Sequence, residues 1–211
     1  MEKIKEKIKR RAFLNEQEQL MLVNSGDVEL IKQHTKVFAF HGSAGVAFIN
    51  LCNVDLLRYY LARWPLCYDY QIALINTKNI DMIRAYIDVD SFDLAETEFV
   101  KLGNDELMRW YLENYSLGSD AELELVKTSN TEWMKIYLSG ESLFGFAQIM
   151  LVESGNKELI DFYLDRYDFV VGAQIALVES GNKELIDSYL SRYKFCDAAQ
   201  KKINELSMKS N

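Results

Sequence analysis

A single period governs this sequence. The segment AQIMLVESGNKELIDFYLDRY, Ala147 to Tyr167, returns from Ala173 to Tyr193 as AQIALVESGNKELIDSYLSRY, with 18 of 21 positions identical. Moving back by the same 26 residues recovers weaker copies to the N-terminus, with one single-residue deletion near Asp93. Self-similarity at a fixed period of this length marks a repeat array, in which each unit buries its apolar face on its neighbours.

The glycine of SGN sets a reference column: Gly26, Cys52, Lys78, Gly103, Ser129, Gly155 and Gly181. Four residues earlier stand Leu22, Phe48, Leu74, Phe99, Leu125, Leu151 and Leu177, and three earlier is always Val or Ile. One later is Asp27 and then asparagine six times; three later is always acidic, from Glu29 to Glu184. Positions +4 and +5 are apolar, +8 is tyrosine in all copies but the first, and +14 is Phe or Leu throughout.

Apolar residues at −8, −6, −4 and −3, then at +4, +5, +8 and +9, outline two amphipathic helices of about ten residues each. A glycine or substitute followed by Asn or Asp supplies the tight turn between them. The acid at +3 falls in the first turn of the second helix, where the dipole favours negative charge. Asp93–Glu96, Ser119–Glu122 and Asp197–Gln200 have capping-box spacing and are expected to open first helices.

Residues 2–11 fall in second-helix register, with Lys5 and Lys9 at columns that are apolar elsewhere; beyond residue 196, Lys201 and Asn204 do the same for a first helix. These polar substitutions fit capping half-repeats. The expected fold is therefore an all-α α-solenoid of seven antiparallel helix pairs with a half-repeat cap at each end. As a single domain it comprises a cap helix in 1–14, repeats in 15–196 and a cap helix and tail in 197–211.

Composition narrows the function. The 49% hydrophobic and 27% charged residues are those of a globular chain, and the net charge of −8 opposes a generic nucleic-acid binder. Cys52, Cys67 and Cys196 are odd in number and lack metal-ligand spacing, which fits a reducing compartment. With no signal-like or membrane-spanning segment, a cytoplasmic protein is expected, with a monomer favoured.

The run ALVESGNKELIDSYL, residues 176–190, resembles the helix–turn–helix half of an ankyrin repeat: a Gly–polar turn, an acid two residues on and paired apolar positions after it. The period of 26 leaves no room for the ankyrin β-hairpin finger, the Thr-Pro-Leu-His entry is absent, and Leu-Val stands where ankyrins carry Ala-Ala. The resemblance implies an ankyrin-like helix-pair solenoid that binds proteins, without the finger-borne surface.

Exposed columns supply the candidate sites. Position −2 is Asn24, Asn50 and Asn76 in repeats 1–3, an amide row able to hydrogen-bond an extended peptide, although asparagine near a helix end also simply helps the chain turn. In repeats 4 and 5 the same face carries Glu98 with Lys101 and Glu124 with Lys127, spaced as surface ion pairs. A basic stripe at +6, Lys32, Arg58, Arg84, Arg109 and Lys135, runs beside the aromatics Tyr59, Trp110 and Phe162. That is an alternative polyanion-binding pattern, with an acid three residues before each base to neutralise it. His34 and His41 are the only histidines, and no nucleophile–base pair, phosphate loop or metal cluster accompanies them. The expectation is a non-enzymatic, cofactor-free scaffold that binds a protein or peptide on its first-helix face. A nucleic-acid-associated helical repeat is the alternative.

Overall fold

The computed structural model describes residues 1–209, with side chains to residue 206. It is all-α, with sixteen helices and no strand among the described residues. It comprises two compact units, Met1–Leu107 and Met108–Asn211.

In the first unit α1 (Glu2–Lys9) precedes the pairs α2 (Glu16–Asn24) and α3 (Val28–Thr35), α4 (Gly42–Asn50) and α5 (Val54–Leu61), α6 (Tyr68–Asn76) and α7 (Ile80–Ile87), then α8 (Glu96–Leu102). First helices pack in sequence, α2 on α4, α4 on α6 and α6 on α8, as do α1, α3, α5 and α7. The boundary falls within α9 (Asp105–Asn114). The second unit repeats the plan with α10 (Ser119–Thr128), α11 (Thr131–Gly140), α12 (Gly145–Glu153), α13 (Lys157–Leu164), α14 (Val171–Glu179), α15 (Lys183–Leu190) and α16 (Asp197–Lys209). There α10, α12, α14 and α16 pack in order, as do α11, α13 and α15. Serial stacking of helix pairs is the solenoid arrangement expected from the period.

Every member of the reference column is left-handed, including the three that are not glycine: Cys52 at φ 51°, Lys78 at 53° and Ser129 at 53°. The following Asp or Asn is the N-cap of the second helix. The N–H three residues on donates to its side-chain oxygen in all seven copies, from Leu30 on Asp27 at 3.1 Å to Leu185 on Asn182 at 3.3 Å. The SGN run thus ends one helix and caps the next in two residues.

Positions −4 and −3 are buried in every copy, and so are the tyrosines at +8. His34 takes the tyrosine place in repeat 1, lies between Phe38 and Phe40, and is held near a pKa of about 4, first by burial and then by His41. Burial pushes the Tyr60 hydroxyl up to about 12 and moves Tyr86, Tyr137, Tyr163 and Tyr189 in the same direction. The column is neutral packing.

Two expectations need correcting. Position −6 is half-buried in all seven copies rather than part of the core. The inward place goes to −7, a column of buried polar residues: Gln19, Gln71, Glu96, Glu122, Gln148 and Gln174. Gln148 donates to the Leu143 carbonyl at 2.7 Å and accepts the Val170 N–H at 2.8 Å; Gln19 and Gln174 make the equivalent pairs. Each therefore ties the loop before its own helix to the start of the next first helix. The predicted capping boxes at Asp93–Glu96 and Ser119–Glu122 do not form. The N-caps there are Ala95 and Gly118, without side-chain cap bonds. Glu122 instead belongs to the buried column, accepting the Tyr137 hydroxyl at 2.6 Å and the Phe144 N–H at 2.7 Å. A full capping box stands at Asn15–Glu18.

Candidate binding face

Apart from half-buried Glu18 at −8 in the first copy, a first helix buries −8, −7, −4 and −3, so −9, −6, −5 and −2 fall on its other side at helical spacing. The half-buried −6 residues give that side an apolar floor, which the core-facing assignment of −6 had hidden. A cleft in each unit is lined by first helices and the residues that open them.

The first-unit cleft, about 610 Å³, lies between α4 and α6, with Val46, Ile72 and Ala73 among Ser43, Tyr68 and Asp69. Asn50 and Asn76 both line it, so two members of the predicted amide row share one groove. Asn24 is exposed one repeat earlier, at the end of α2, and does not line it. Tyr68, at the opposite end of α6 from Asn76, is 49% exposed and lines the same cleft. In the next copies the face is closed by ion pairs, Lys101 to Glu98 at 2.9 Å and Lys127 to Glu124 at 3.3 Å.

The second-unit cleft has no counterpart among the periodic columns. It is about 640 Å³, lined by Leu117, Phe144, Phe146, Ile149 and Val170, with Gly118, Gly145 and Gly172 opening it. Phe146 is 78% exposed and Phe144 57%. A Cβ on Gly172 would stand 3.2 Å from the Ile149 Cδ1, so the glycine keeps that side of the cleft clear. Phe146 and Gly172 occupy position −9, which is Gln17, Ser43 and Asp69 in the first three copies. A variable column carries no periodic signal. The available clue was a lone phenylalanine at an outward position.

The +6 stripe is largely committed to partners. Arg84 pairs with Glu106 at 2.8 Å, Arg109 with Glu132 at 3.9 Å and Lys135 with Glu158 at 2.6 Å, each acid being the +3 residue of the following repeat. Lys32 pairs within its own repeat, with Glu29 at 3.9 Å. Arg58 is exposed and forms no ion pair among the described residues. The neighbouring rings are covered too: Arg63 lies 4.1 Å from the Tyr59 ring centre and Arg166 3.8 Å from that of Phe162. The acidic +3 column thus serves as an inter-repeat counter-charge. No group of three or more His, Cys, Asp or Glu among the described residues could hold a metal ion. The three cysteines are free. No described helix is long and apolar enough to cross a membrane.

No family model matches the chain, and no curated protein and no solved structure matches it either.

Proposed function

We propose that this chain is a non-enzymatic, ankyrin-like repeat scaffold that binds a protein or peptide along its first-helix face. The observation that carries the proposal is a cleft in each unit, both lined by first helices at columns −10, −9 and −6 of the repeat. A packed array that leaves apolar surface on the same helix face in separate copies offers a partner repeated points of contact. In the first-unit cleft, Asn50 and Asn76 each present an amide that can donate to and accept from a peptide backbone, while Val46 and Ile72 give it an apolar floor.

The test is capture of the partner from the native cell, followed by affinity measurement with purified components. Replacing both asparagines, Asn50→Ala with Asn76→Ala, removes exposed side chains only, so helicity should be unchanged. Binding should weaken about tenfold, the loss of one to two kcal/mol expected of two hydrogen bonds. Unchanged affinity would remove these amides from the interface and, with them, the first-unit groove.

A further inference from the structure

We infer that the second-unit cleft receives an apolar anchor, aromatic or branched aliphatic, carried on a basic segment of a partner polypeptide. The inference rests on the binding-face proposal above and gives it a chemistry.

The shape comes first. A space of about 640 Å³ walled by Phe144, Phe146, Ile149 and Val170 lies within the range that accepts a large side chain with its neighbours. No charged side chain lines it. Phe146 and Val171, 78% and 51% exposed, extend apolar surface beyond the rim. An occupant must therefore bring apolar surface to gain from docking here.

Charge then selects the occupant's flanks. Along α10, α12 and α14 the only cation is Lys127, and Glu124 holds it at 3.3 Å. Glu179 is engaged by Lys202. That leaves Asp120 and Glu153, both exposed and without an ion pair among the described residues. Asp120 adjoins the cleft residue Ser119, and Glu153 lies one turn beyond Ile149 and two beyond Phe146 on the same face of α12. The uncompensated charge around the apolar cleft is negative, so a lysine- or arginine-bearing segment is complementary. A second copy of this chain is a poorer occupant. A twofold contact on this patch would bring the same carboxylates together. An anionic lipid surface meets the same repulsion.

The experiment uses the full chain and three synthetic peptides. Two are amphipathic helical peptides sharing leucine and tryptophan positions, with lysine at the remaining positions in one and glutamate in the other. The third is the lysine peptide scrambled so that its apolar face is lost. The amphipathic lysine peptide should bind at least about tenfold more tightly than either of the others. Phe146→Ser, at a side chain the core does not use, should weaken it by a similar factor. Glu153→Lys should lower affinity for the lysine peptide and raise it for the glutamate peptide. Equal binding of the scrambled peptide would overturn the inference, because charge alone would then suffice. So would indifference to Phe146→Ser, or a concentration-dependent dimer that Phe146→Ser dissociates. Asn50→Ala with Asn76→Ala should leave lysine-peptide affinity unchanged. Failure here therefore leaves the first-unit groove standing, and failure there leaves this cleft standing.

Discussion

At position 45 the buried polar column is interrupted by glycine, and the neighbouring repeat compensates. Where four other copies place a glutamine that donates to the carbonyl five residues back, Gly45 leaves the Phe40 carbonyl to the Tyr70 hydroxyl, which donates to it at 3.0 Å. A Cβ on Gly45 would overlap the Tyr70 ring. Tyr70 itself stands at −8, a place held by Ala44, Ala95, Ala121, Ala147 and Ala173 in other copies. Two departures from the repeat thus answer one another across a packed interface. Gly45→Gln alone should clash, and Tyr70→Ala alone should leave a void and an unpaired carbonyl. Each should cost about 2 kcal/mol or more. Together they recreate the glutamine–alanine arrangement of Gln19 with Ala44 and of Gln148 with Ala173, so the double variant should recover at least about 1 kcal/mol relative to the sum. Chemical denaturation of the four proteins measures the cycle. Strict additivity would show that the two sites are not exchanging one hydrogen bond for another.

The same column explains how neighbouring helices are held in register. Gln148 has both ends engaged, whereas Gln71 donates to the Leu66 carbonyl and the Tyr86 hydroxyl but its Oε1 has no partner. Gln71 is the copy followed by the one-residue deletion near Asp93, where the shortened connection no longer brings an N–H to the acceptor. Gln148→Leu should therefore leave the Leu143 carbonyl and the Val170 N–H both bare in the interior, costing roughly 1–3 kcal/mol for each group. Gln71→Leu, which also removes an unsatisfied acceptor, should cost at least about 1 kcal/mol less. Equal losses in denaturant titrations would mean that the bond to the next helix contributes nothing.

These elements also mark where sequence was sufficient. Helix pairing, the turn column and the core positions at −4, −3 and +8 were legible because a left-handed φ and a dry interior each admit few residue types. The deletion was legible as a break in the period. The polar −7 column was not, since Gln and Glu inside a helix have the composition of solvent-facing positions, and only the bond across to the next repeat distinguishes them. The amides of Asn50 and Asn76 were placed correctly on an exposed face because −2 is periodic. The Phe146 cleft was not seen, because it arises from outward residues that differ from copy to copy.

Over the whole molecule the decisive quantity is how much of the basic stripe already faces a carboxylate. The chain carries a net charge of −8, and three of the five stripe bases face a carboxylate fixed by the next repeat. A nucleic acid approaching Arg84, Arg109 and Lys135 would have to displace Glu106, Glu132 and Glu158 and then lie against them. The counter-ion release that drives such binding would be offset by repulsion from carboxylates carried on the same helix faces. Base stacking meets a similar obstacle, since Arg63 and Arg166 already cover Tyr59 and Phe162. Of the stripe only Arg58 is exposed without an ion pair among the described residues, whereas in the first unit Lys9, Arg11 and Lys36 together line a single cleft of about 320 Å³ between α1 and the end of α3. On a heparin column the protein should therefore pass without retention near 0.15 M salt, where the screening length is about 8 Å. Any retention at lower salt should disappear with Lys9→Gln and Arg11→Gln but persist with Arg84→Gln and Arg109→Gln. Retention at physiological salt that the stripe substitutions abolish would return the second-helix face to consideration as a polyanion site. Its absence would remove that face as a polyanion site.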